Sequence, residues 1–165
     1  MKRLLLLFAT ALALAVPAVL LAADGTDGTM SVKRGRALIV FNKLQGTAIG
    51  RMASGKVRIR VLRPKTDAPP EFHHCRKHVI NRTTTVCQGK KLTFRALDGH
   101  YVIRLQGSGI FMSAAGQGTG STDGAGIPGL SNGVMSFDDG PYGTIPDDPT
   151  PFTVGTPPPP PPRRR

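Results

Sequence analysis

The sequence predicts an all-β fold: a small barrel or sandwich of roughly six or seven short antiparallel strands, with an N-terminal signal helix and an irregular Gly/Pro-rich C-terminal tail. Three observations carry this expectation. Lys56 to Arg63 alternates strictly, with Val57, Ile59 and Val61 between Lys56, Arg58 and Arg60. Period two puts the apolar trio on one face and the cations on the other. A second alternating stretch, Lys91 to Leu105, surrounds Asp98-Gly99, a favoured two-residue turn. No segment after the leader keeps helical spacing over three turns.

Met1 to Ala23 comes first: Lys2 and Arg3, an apolar run from Leu4 to Leu21, then Ala22-Ala23. This tripartite order predicts a signal peptide over 1–23 and an exported, secreted or envelope-associated chain. The same run is long enough to cross a bilayer core if it is not cut, and would then hold the protein on a membrane. Pro17 counts against a regular spanning helix. Residues 24–29 read as a linker.

A basic β domain is expected over 30–113. Arg36 to Asn42 (RALIVFN) reads as a buried strand, Lys43 to Gly46 as a turn, and Thr47 to Met52 as a short strand ending at Ser54-Gly55. The alternating strand from Lys56 ends at Pro64, since proline cannot donate to a ladder. Asp67 to Glu71 is a loop, and Arg82 to Gln88 a strand broken by Gly89. With the turn centred on Asp98-Gly99, Leu97 would face His100 and Leu92 would face Leu105. One face then collects Leu92, Phe94, Ala96, Tyr101, Ile103 and Leu105. Ile110 to Ser113 makes a last short strand. Residues 114–155 read as an acidic Gly/Pro-rich extension without apolar periodicity, and 156–165 as a polyproline–arginine tail with a polyproline II conformation.

Cys75 and Cys87 are the only cysteines, and export favours their disulfide. Closing so short a loop is worth about 3 kcal/mol in the chain-entropy estimate. The alternative is a metal site at His73, His74 and His78, completed by a reduced cysteine. The spacing fits no recognisable ligand geometry, and adjacent histidines on extended chain point apart.

Charge is uneven along the chain. Lys33 to Arg104 holds 17 Lys or Arg and three acids, whereas Leu105 to Gly155 holds five acids and no Lys or Arg. If the strands share a sheet, Lys56, Arg58, Arg60, Lys91, Arg95 and Arg104 form one anion-binding surface. The partners this implies are anionic lipid, wall polymer or acidic glycan. Nucleic acid is disfavoured, because no aromatic residues interleave the cations for base stacking. The bland reading is a solvated outer face that guards the sheet edges.

Catalysis finds little support. No serine sits in a Gly-x-Ser-x-Gly elbow between a strand and a helix, and Glu71 is the only glutamate. Gly116 to Gly129 lacks the Gly-Lys-Ser/Thr that a phosphate loop needs and reads as flexible chain. No cofactor is implied. The expectation is a non-catalytic envelope-associating β domain; the alternatives are a metal-binding protein or a structural, protein-interaction module.

Two runs carry a resemblance: Gly46 to Ile59 (GTAIGRMASGKVRI) and Gly99 to Gly118 (GHYVIRLQGSGIFMSAAGQG), with Asp138-Asp139-Gly-Pro-Tyr downstream. Over Gly35 to Pro149 the chain resembles a group of small exported bacterial β proteins. The resemblance implies an envelope or secreted protein and supplies no catalytic residues.

Overall fold

The computed structural model describes residues 26–124 and 131–156. The expected leader and the tail from residue 157 onward lie outside the described residues. Nine strands follow in order: β1 (Gly28–Lys33), β2 (Arg36–Val61), β3 (Glu71–His73), β4 (Arg76–Asn81), β5 (Thr84–Ser108), β6 (Phe111–Asp123), β7 (Val134–Phe137), β8 (Gly143–Thr144) and β9 (Thr150–Val154). No helix occurs among the described residues. All strand pairs are antiparallel and belong to one open sheet, ordered β3-β5-β2-β6-β1-β7-β8, with β4 also on β5 and β9 on β6.

The all-β class holds, but the strands differ from those expected. There are nine, and β2, β5 and β6 run for 26, 25 and 13 residues. The expected turn at Lys43 to Gly46 and the expected break at Ser54-Gly55 both lie inside β2. The hairpin at Asp98-Gly99 does not form. Leu92 pairs with Met52, and Leu105 pairs with Ala37 and Val57, so β5 pairs with β2 rather than with itself.

The reason lies in side-chain parity. Ala96 and Tyr101 are both buried although five positions apart, so strict alternation cannot connect them. A hairpin would absorb the extra residue, and so does a bulge in a continuous strand. Asp98 takes the second route. It adopts positive φ, its Oδ1 accepts the Gly46 amide, and the pairing shifts from Phe41↔Tyr101 through Leu44↔Gly99 to Thr47↔Leu97. A second reversal lies between the buried pairs Met52↔Leu92 and Val57↔Cys87, where Gly55 and Lys91 have positive φ. The β2–β5 ribbon thus presents alternate faces inward along its length. It also returns on itself: residues 54–60 pair with 84–90 on one side, while residues 54–61 pair with 101–108 on the other.

The core collects Ile39, Phe41, Ile59, Leu92, Tyr101, Ile103 and Leu105, all fully buried. Each such aliphatic side chain contributes about 1.5–3 kcal/mol relative to exposure. The stretch expected to be an irregular extension joins this core. Met112 and Ala114 on β6 are buried, as are Ile145, Phe152 and Val154 beyond it. Phe152 meets Phe41 edge to face at 5.6 Å between ring centroids. The glycine-rich run is a strand through Asp123, because glycine and serine fit where β6 lies between β2 and both β1 and β9.

Candidate functional site

Three rows of side chains cross the outer face of β2, β4 and β5. Arg36, Gln106, Lys56, Gln88 and Arg76 are successive cross-strand partners. The next row runs Leu38, Arg104, Arg58, Val86 and His78. The third holds Val102, Arg60, Thr84 and Asn81. Every cation named here is exposed. Arg58 stands directly opposite Arg104, and both border one groove with Arg60 and another with Lys56. Like charges placed opposite each other destabilise a sheet. No acid offsets them: the only ion pair among the described residues is His100–Asp67.

Four of the six cations expected to share a surface therefore do so: Lys56, Arg58, Arg60 and Arg104. Lys91 and Arg95 lie elsewhere. Lys91 borders a groove with Lys33, Arg34 and Arg51, and Arg95 borders another with Glu71 and His73. The reversal between Met52↔Leu92 and Val57↔Cys87 separates the two sets. Arg36, Arg76 and His78 complete the basic face; the sequence offers His78 only as a candidate metal ligand and gives Arg36 and Arg76 no place on this surface. Only the pairing register reveals them, since they lie far along the chain from Arg58.

Cys75 and Cys87 form a disulfide with Cα atoms 5.6 Å apart, tying the chain before β4 to β5. Such a bond is what an oxidising compartment preserves. His73 and His78 lie on β3 and β4, with His74 between them at a positive φ of 57°. No group of three or more His, Cys, Asp or Glu suited to a metal occurs among the described residues.

A separate polar cluster holds the loop after β2. Asp67 Oδ2 accepts the amides of Arg63 and His100 at 3.1 and 3.0 Å, and Oδ1 lies 3.1 Å from His100 Nδ1. Burial pushes the Asp67 carboxyl up, but the hydrogen bonds from His100 and Arg63 and the charge of His100 outweigh it and leave the pKa below the ordinary 3.8. Tyr101 Oη donates toward the carbonyls of Ala68, Leu97 and Asp98. Burial, reinforced by Asp67 and Asp98, pushes its pKa up to about 12. The Thr66 hydroxyl meets the carboxylate and not the imidazole. A proton relay needs the imidazole in the middle; this cluster is a clamp that joins loop to strand.

Comparison of the chain with protein families, with curated proteins and with solved structures gives no match.

Proposed function

We propose that this protein is a non-catalytic, exported β protein that associates with anionic components of the cell envelope through the face built on Arg58 and Arg104. The single observation that carries the reading is that juxtaposition. Two guanidinium groups face each other across β2 and β5, flanked by Lys56, Arg60, Arg36 and Arg76, with no acid paired to any of them among the described residues. An anionic polymer or lipid surface relieves the repulsion and forms charge-assisted hydrogen bonds with the guanidinium forks. The bound polymer also releases condensed counterions. The disulfide and the leader-like N-terminus support the extracytoplasmic setting. In the same reading, the ribbon's double pairing makes the core barrel-like and stiffens the strands that carry the cations.

The test is co-sedimentation with vesicles containing anionic lipid and with wall preparations. Affinity is expected to fall by roughly a few hundredfold between about 50 and 200 mM salt, following counterion release for about five contacts. Arg58→Glu combined with Arg104→Glu is expected to abolish retention while leaving the melting midpoint within a few degrees. Equal retention on neutral vesicles, or retention indifferent to salt, overturns the proposal.

A further inference from the structure

A second basic groove, of about 650 Å³, lies where β1, β2, β5 and the start of β6 come together. Its cations are Lys33, Arg34, Arg51 and Lys91, and none of its lining residues is acidic. Its floor is apolar, built from Ala53, Ile110 and Phe111. Phe111 pairs with Lys33 on one side and Arg51 on the other. The Arg51 guanidinium carbon lies 5.3 Å from the Phe111 ring centroid, and Lys33 Nζ lies 5.8 Å from it. Tyr142 approaches from β8's side, its ring 4.0 Å from Lys33 Nζ.

The backbone adds a second, independent observation. Arg34 and Lys91 have φ of 63° and 55°, in the left-handed region where a Cβ is unfavourable and glycine is not. Both positions border this groove. Fold alone would favour glycine at each. Long cations held in strained backbone at one cavity point to a role for the side chains themselves.

We propose that this groove binds an anionic saccharide, a sugar ring that carries a carboxylate or phosphate. The four cations take the charged group, with Arg34 and Arg51 able to grip it in bidentate fashion. The apolar floor takes the hydrophobic face of the ring, as in small-ligand sites that combine apolar walls with a few polar anchors. A free inorganic anion has no such face and leaves the floor unused. The groove does not depend on the surface centred on Arg58, because the two sets of cations are disjoint.

The experiment is calorimetric titration of the full purified chain with oligogalacturonate, a hexose phosphate, neutral maltotriose and inorganic phosphate. At least one charged saccharide is expected to bind about tenfold or more tightly than both maltotriose and phosphate; which one does so separates a carboxylate source from a phosphate source. Arg34→Gly and Lys91→Gly are expected to weaken that binding about tenfold each and to raise the melting midpoint. Lys43→Gln, at an exposed cation that borders neither this groove nor those of the Arg58 face, is expected to leave it unchanged. The proposal is overturned if the glycine variants keep their affinity, if they melt earlier than the parent, or if phosphate alone binds as well as either charged saccharide.

Discussion

Asp67 shows how one carboxylate can hold a loop. It receives two backbone amides and one imidazole, and its side chain is only 4% exposed. Its folded pKa lies below the unfolded value near 3.8, so its stabilisation is fully present above that value. The contribution is lost as pH falls through the depressed folded pKa. Denaturant titrations at neutral pH and below about pH 3 are therefore expected to show a steeper acid loss for the parent than for Asp67→Ala. At neutral pH that variant should cost about 1–3 kcal/mol, since two amides lose their acceptor. A second position is set by packing. A methyl group at Gly50 would come within 2.1 Å of the Phe94 ring, directly across the strand pair. Gly50→Ala is expected to destabilise by about 1–3 kcal/mol, measured by thermal or urea unfolding. Side-chain direction was legible at this scale. The six residues assigned to one face around Asp98-Gly99, from Leu92 to Leu105, are all buried. Lys56, Arg58 and Arg60 are all exposed. Period-two alternation reports which way a residue points, because that depends only on the local chain.

At the level of strands, alternation says nothing about the partner. The parity reversal between Ala96 and Tyr101 fits a hairpin and a bulge equally, and Asp-Gly suits both, since each needs positive φ. What selects the bulge is β2, a strand long enough to pair with both arms of β5 at once. That competition is non-local and leaves no mark on residues 91–105. The same limit explains the basic face. Arg58 and Arg60 were placed correctly beside Arg104, whereas Lys91 and Arg95 were not, because the ribbon reverses at Gly55 and Lys91. The β6 strand was missed beyond Ser113 because its inward positions include Gly116 and Gly120, which carry no apolar signal. The cysteines were the easiest element to read: two thiols admit one intramolecular bridge. Cys75→Ser with Cys87→Ser is expected to cost about 3 kcal/mol, measured by denaturant unfolding against the disulfide-bonded parent. The β3–β4 segment should loosen first, since β4 is exposed along its whole length.

For the whole molecule, the strands after Ser113 decide whether a fold exists at all. They bury Ile145, Phe152 and Val154, and β6 supplies the surface on which β1, β2 and β9 pair. A chain ending at Ser113 is therefore expected to lack a cooperative thermal transition; circular dichroism showing an unchanged midpoint would contradict this. Five of the ten acidic residues lie beyond Ser113, yet Asp138 and Asp147 accept hydrogen bonds from the Thr29 amide and Asn132, and Arg58 stays exposed among the described residues. The first strand closes on residues far down the chain, with Gly28 opposite Gly116. Such distant closure is slow to form, because the entropy of a long loop must be overcome before its contacts are gained. During synthesis, β1 has no strand neighbour among the described residues until Phe111, opposite Lys33, has left the ribosome. Folding of β1 is thereby postponed until about two thirds of the polypeptide has been made.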